Sequence, residues 1–426
     1  MSILTSLFTG VSGLNANGTA LSVVGDNIAN MNTVGFKSST VSFADIVSAS
    51  MGGSMQIGRG VNIGGVTADF TQGSFETTGS GLDLAISGNG FFVVKDRAGS
   101  DFYTRDGEFS IDKDGYLVNP GGMRVQGYTL DQSGNSTGAI ADINLSSGSS
   151  APKTTANITE SVNLQSSATI PAAFDVNNPN ATSNYNTAIT AYDSLGNAHL
   201  VTLYFRKSAQ AATGNTWEWD AVVNGSDTTS GNTEVQANGT LNFDNSGALN
   251  SVTTTASSFN FNGGAAQGQA IAFNFGDAIA AGGTGYKGST QFGSASATVF
   301  QGQDGYAAGA LKGVSIDATG TVIGSFTNGQ TRGLATITLA NFTNPQGLTK
   351  EGAGLYSASN TSGQPLMGEA GKSGMGSISA NSLELSNVDL AAEFVKLIQY
   401  QRGFQANSKI ITTTDQILND VVNLKQ

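Results

Sequence analysis

The chain has 426 residues, of which 38 % are hydrophobic and only 12 % charged, with 57 glycines, 6 prolines and no cysteine. A formal net charge of −12 argues against nucleic acid and anionic membrane as partners, because both are held by basic patches. The missing cysteine excludes disulfides and thiolate metal sites, and no stretch is apolar enough to cross a bilayer, which predicts a soluble protein without membrane insertion.

This length exceeds one hydrophobic core, so two to four domains are expected. The charged fraction is about half the roughly 25 % of an average globular protein. Polar surface must therefore come from Ser, Thr, Asn and Gln on a turn-rich, mostly β scaffold. Such a surface meets copies of itself with little like-charge repulsion.

The first predicted element is a helix over residues 1 to 30. Leu4, Leu7, Val11, Leu14, Leu21 and Ile28 recur at helical steps, and Leu7, Leu14, Leu21 and Ile28 are seven apart, the period of a coiled-coil seam. Gly18 and Gly25 occupy intervening stripe positions, which weakens the helix but lets another backbone come close. "NIANMNTVGFKSS" (27 to 39) then supplies stop signals at Asn30 and Gly35. The first charge is Asp26 and the first lysine Lys37, so any export is expected to proceed without a cleaved signal peptide.

Residues 31 to 75 follow as a turn-rich connection. "LDLAISGNGFFVVKD" places Leu82, Leu84 and Ile86 on one strand face and turns at Asn89-Gly90 into a second strand. "TWEWDAVV" sets Trp217 and Trp219 on a single face, and "LATITLANF" does the same with Ala335, Ile337 and Leu339. An apolar-Asp-x-x-Gly unit recurs at 111 to 115, 130 to 134, 192 to 196, 243 to 247 and 316 to 320. Asp suits the first turn position and Gly the left-handed closing position of a hairpin. Calcium loops would need several acids at alternating positions, and most of these units offer one.

The last element is a helix from about Asn387. Leu390, Leu397, Phe404, Ile411 and Leu418 are each seven apart, flanked by Phe394, Val422 and other apolar residues, with Asn387 and Asp389 as N-cap chemistry. Bringing the two ends together buries both stripes. The expected architecture is mainly β with terminal helices, and nested. A terminal helical assembly domain (1–30 and 385–426) encloses connecting segments (31–75 and 358–384), an inner β domain (76–148 and 303–357) and an outer β domain (149–302).

Nothing specific points to catalysis. His199 is the single histidine, expected at the surface or on an edge strand, and without cysteine it forms neither a metal cluster nor a dyad. "GNSTG", "GTGYKG" and "GKS" match fragments of catalytic or phosphate-binding motifs but lack the strand-to-helix context each requires.

The opening and closing segments carry a resemblance. "LSVVGDNIANMNTVGFKSS" resembles the N-terminal signature of the bacterial flagellar rod and hook axial proteins, NNIAN-x-NT-x-G-aromatic-K. Asn27, Ile28, Ala29, Asn30, Asn32, Thr33, Gly35, Phe36 and Lys37 carry it, with Asp26 where a second Asn is common. The C-terminal stretch is similar to that family's final helix through Asn387, Val388, Gln401, Arg402, Phe404, Gln405, Asn407, Thr413 and Asp415. "SGNGFFVV", "YTRDGEFSIDKDGYLVNPGG" and "LANFTNPQGL" extend it through the centre. The insertion near 150 to 300 is similar to the hook branch, and 251 to 300 is the stretch least like the family.

The resemblance implies a non-enzymatic structural subunit without cofactors, exported to the extracellular flagellar hook. There it self-assembles into a curved, hollow helical polymer, a flexible joint carrying torque from rod to filament. Implied partners are further copies of itself, the distal rod protein, the hook cap protein, the hook–filament junction protein and the type III export apparatus. The terminal helices are expected to be disordered in the monomer and to fold on assembly. Three alternatives stay open: a helical hairpin capping a monomer, a distal rod protein of the same family, and a secreted β-rich adhesin using Trp217 and Trp219 as a stacking surface.

Overall fold

The computed structural model describes residues 3–47, 58–131, 134–146 and 148–423. The chain forms two units, one from Met1–Gly148, Gly313–Ser325 and Thr331–Gln426, the other from Ser149–Lys312 and Phe326–Gln330. Both long helices belong to the first unit. The N-terminal helix spans Ile3–Ala29 and the C-terminal helix Leu390–Asn423. They pack antiparallel, with Gly10 facing Ile411, Asn17 facing Gly403 and Asn27 bonded to Glu393.

The seam differs from the leucine stripe on the N-terminal helix. Its buried residues are Gly10, Gly13, Ala16, Ala20, Val24 and Asn27, whereas Leu7, Leu14, Leu21 and Ile28 are half-buried and Val11 is exposed. Small side chains let the helix axes approach, so the seam settles on the small-residue face and the leucines flank it. On the C-terminal helix Leu390, Leu397, Phe404, Ile411 and Leu418 are half-buried while Phe394 is exposed. Leu4 and Val422 lie outside the residues whose side chains are described.

Strands Ser39–Val47 and Gly58–Ala68 pair antiparallel, so the expected turn-rich connection contains a hairpin. Alternation in "VSFADIV" and "VNIGGV" favours strands, and both helices support the hairpin. The Val61 amide donates to Ser12 Oγ at 3.2 Å, and the Phe43 and Tyr400 rings are 5.9 Å apart.

The body of the first unit is an antiparallel sheet. Its central strands are ordered Thr331–Asn341, Arg124–Leu130, Phe91–Lys95, Asp101–Thr104, Leu355–Ser357 and Thr349–Gly352. Phe91, Tyr103, Phe342 and Tyr356 form an aromatic core with Phe70 against it. Leu84–Ser87 and Phe91–Lys95 flank Asn89-Gly90 but join different partners, the former pairing with Ser377–Ala380.

The second unit holds a five-stranded meander, Tyr185–Tyr192, Ala198–Ala211, Gly214–Val223, Glu234–Asp244 and Leu249–Ser257, in sequential order. A three-stranded sheet of Ala272–Asn274, Asn157–Asn163 and Ala297–Gln303 completes it. Residues 303–312, expected with the inner domain, group with this unit, because the Lys153 and Tyr306 backbones exchange hydrogen bonds of 3.0 and 2.9 Å. The stretch 251–300, expected to be the least like the family, fills the core: Phe259, Phe261, Ile271, Phe273 and Phe275 are buried against Trp217, Trp219 and Phe205.

The four apolar-Asp-x-x-Gly units that lie wholly within the described residues are turns. Oδ1 of Asp112, Asp193, Asp244 and Asp317 each accepts the amides two and four residues on, at 2.8–2.9 Å. Asp131 accepts the Asn135 amide at 2.8 Å. The closing glycines sit at φ between +77° and +84°, where a β-carbon is disfavoured.

Candidate assembly surface and terminal junction

The residues that follow the N-terminal helix and those that precede the C-terminal helix meet in one buried polar cluster. Lys37 Nζ lies 2.5 Å from Glu384 Oε1 and donates to the Thr71 carbonyl at 2.8 Å. Arg105 Nη1 reaches Glu384 Oε2 at 3.1 Å, and its Nη2 donates to the Gly88 carbonyl at 2.8 Å. All three side chains are buried, and the Gly73 amide adds a third donor to the carboxylate, on Glu384 Oε1 at 2.9 Å. Burial pushes the Lys37 ammonium below its ordinary value, and Glu384 opposes that shift. Burial likewise lowers Arg105, with Glu384 opposing. One carboxylate thus carries two desolvated cations, and removing it would leave both uncompensated.

Asparagines complete the junction. Asn27 Nδ2 donates to the Ser39 carbonyl at 2.8 Å while Asn27 Oδ1 accepts the Ser39 amide at 2.9 Å. The same Nδ2 reaches Glu393 Oε2 at 3.1 Å. Asn387 Oδ1 accepts the Ser38 amide at 2.8 Å, and its Nδ2 donates to the Asp69 carbonyl at 2.8 Å. The amide of Gly35, at φ +67°, donates to the Glu384 carbonyl at 2.7 Å. A β-carbon there would lie 2.6 Å from the Arg105 backbone. Asn30 closes the helix end, with Nδ2 on the Asp26 carbonyl at 2.9 Å and Oδ1 accepting from Thr33 Oγ1 at 3.1 Å. Phe36 lies under Lys350, whose Nζ is 5.1 Å from the ring centroid. Asn32 is exposed.

Along the helix pair a reciprocal unit recurs. Asn17 donates to the carbonyl of Gly13 at 2.7 Å, and Asn407 to that of Gly403 at 2.8 Å. A β-carbon on Gly13 would sit 2.6–2.7 Å from the Asn407 amide, and one on Gly403 would sit 2.7 Å from Asn17 Oδ1. Each asparagine occupies the space that the opposite glycine leaves. The close approach expected of Gly18 and Gly25 is made here instead: Gly18 meets Phe404 only at 3.9 Å, and nothing lies within 4 Å at Gly25. The outward faces carry large apolar residues among polar ones, with Phe8 and Val11 on one helix and Phe394, Val395, Ile398, Ile410 and Ile417 on the other, all exposed. Asp389 caps the C-terminal helix, accepting the Ala391 and Ala392 amides at 2.9 and 3.2 Å.

The junction therefore gathers Asn27, Asn30, Gly35, Phe36 and Lys37. Glu384, Glu393 and Arg105 were not predicted by sequence reasoning. The available signal was charge scarcity, which makes a lone Glu amid apolar residues informative. Two expectations change. Trp217 and Trp219 are 0 % exposed, so they offer no stacking surface for a glycan and the adhesin reading loses its site. His199 lies within the meander rather than at its surface or edge: Nε2 is 3.0 Å from Asp193 Oδ2, and the ring stacks on Phe261 at 4.2 Å.

Four family models match in chain order. They are the flagella basal body rod protein over 7–37, the flagellar hook protein FlgE/F/G D1 domain over 85–178, the flagellar basal body protein FlaE D2 domain over 163–306, and the flagellar basal body rod FlgEFG protein C-terminal over 379–424. The chain is 39 % identical to the flagellar hook protein FlgE of Escherichia coli (strain K12), over 97 % of this chain and 98 % of that one. It is 37 % identical to that of Borreliella burgdorferi over 99 % and 100 %, and 34 % identical to that of Treponema pallidum over the whole of both. A solved structure, the Helicobacter pylori flagellar hook protein FlgE2, aligns with a TM-score of 0.46 and 16 % identity over 72 % of this chain and 100 % of that one. The likeness to the curated hook proteins runs from the first helix through the central insertion to the last helix, and the chain belongs to the flagellar hook protein family.

Proposed function

We propose that this chain is a structural subunit of the bacterial flagellar hook, polymerising through its terminal helices into a curved, hollow helical tube that passes torque from rod to filament. The observation that carries this reading is the helix pair itself. On the N-terminal helix its inner seam is mostly glycine, alanine and asparagine, and its outer faces leave Phe8, Phe394, Val395 and Ile398 uncovered. A small-residue seam buries little apolar area, so the pair is marginal alone and gains stability when neighbouring copies cover its outside. The partners are further copies of itself, with the distal rod, hook cap and hook–filament junction proteins at the ends of the tube. The chain works outside the cell after export by the flagellar type III apparatus, and its role there is structural rather than catalytic.

The division of labour follows the nested organisation. Residues 1–30 and 385–426 assemble, the junction ties them to the inner β body, and the outer unit supplies contacts that slide or re-form as the tube bends. Hydrogen exchange on verified monomer and on polymer tests the assembly step. Fast exchange in both helices of the monomer and strong protection in the polymer is expected. Equal, strong protection in both states would contradict it.

A further inference from the structure

Within the second unit, strand Asn157–Asn163 turns Ile158, Glu160 and Val162 towards the core. Ile158 and Val162 join the apolar cluster, so Glu160 puts a carboxyl where the pattern calls for a hydrocarbon. It is 0 % exposed. Thr298 Oγ1 donates to its Oε1 at 3.3 Å, and Oε2 has no partner. Thr298 also bonds the Tyr185 hydroxyl at 2.9 Å, joining three strands at one point.

Thr298 stands at a β-bulge. Ser161 pairs with Phe300 and Val162 with Thr298, which leaves Val299 as the extra residue. Val299 and Phe300, 70 % and 57 % exposed, are the most exposed large apolar residues of this unit. Bulges re-aim side chains and loosen pairing locally. We infer that Glu160 is a proton-dependent latch on this bulge: protonated, it stays in the core and seats strand Ala297–Gln303; ionised, it drives itself towards water and loosens the strand that presents Val299 and Phe300.

The environment supports this. Burial pushes the Glu160 carboxyl up from the ordinary 4.5 to about 7, against the Thr298 hydrogen bond. The neighbouring strands Ala272–Asn274, Ala297–Gln303 and Tyr185–Tyr192 contain no charged residue. Their titratable groups are Tyr185 and Tyr192. The unit's other buried charged side chains are held elsewhere: Lys207 Nζ on the Ser166 carbonyl, Asp193 on His199, and Asp220 on strand Gly214–Val223. A folded state that keeps its proton to higher pH than the unfolded chain loses stability as pH rises between the two values. The latch is therefore fully set below the ordinary value and released as pH climbs through about 7.

The chain's two tryptophans both lie in this core, so fluorescence of the full-length protein reports this unit. Thermal melts of dilute wild type, Glu160→Gln and Asp220→Asn between about pH 5 and pH 8.5 make the test. Asp220 is the second acid here that burial pushes up, to about 6. The wild-type melting temperature is expected to fall by on the order of 5 °C, Asp220→Asn to keep most of that fall, and Glu160→Gln to lose it and melt higher at the alkaline end. Where Glu160→Gln does not fold, Glu160→Met is measured in the same way. A Glu160 variant that keeps the full wild-type slope, or a wild type with no slope, would overturn the latch.

Discussion

Glu384 joins Lys37 and Arg105 at a point where water is excluded, and the three charges are useful only together. Glu384→Gln leaves two buried cations without an anion and is expected to cost about 3–5 kcal/mol, read as lost hydrogen-exchange protection across residues 70 to 110. A loss too small to measure would mean that water enters the cluster. Asp304 offers an independent case in the second unit. Burial raises its carboxyl, but the amides of Asn157 and Ala156, the Asn157 side chain and Lys153 together hold it well below the ordinary range. Its stabilisation is present above the ordinary carboxylate value and is lost as pH falls below it. Asp304→Asn should therefore melt below wild type at neutral pH, with the gap closing in acid. A gap that is independent of pH would show that packing, not charge, is at stake. The turn aspartates were legible in advance because their chemistry is local: an Asp, two residues and a Gly suffice. Glu384 and Arg105 were not, because their meaning depends on a fold that brings residues 37, 105 and 384 to one place.

Both terminal helices were legible from their heptad periods, yet the face they share was not. Hydrophobicity marks Leu7, Leu14 and Leu21 as the seam, but helix axes approach most closely where side chains are smallest, and Gly13, Ala16 and Ala20 lie there. Gly13→Ala is expected to lower helical circular dichroism at 222 nm, because its β-carbon would meet the Asn407 amide. Gly25→Ala, in open space within one chain, should raise it through helix propensity worth about 1 kcal/mol. The opposite order would place the seam on the leucine face. The strand pair 39–47 and 58–68 was hidden for a related reason: "GRGVNIGGV" is as rich in turn residues as in strand formers, and what holds these strands in place is the pair of helices behind them.

At the scale of the molecule, two chain ends separated by almost the whole sequence are paired as helices and anchored to one β body by a buried carboxylate. Few charges lie on the surface, and apolar ridges are left uncovered on the helices. That combination suits a subunit whose final contacts come from copies of itself. The most direct measurement is negative-stain electron microscopy of the concentrated full-length chain, with polymer seeds, beside a chain lacking residues 1 to 30 and 385 to 426. Curved tubes from the full-length protein and monomers from the truncated one are the predicted result. Monodisperse particles from both, or tubes from both, would contradict assembly through the terminal helices.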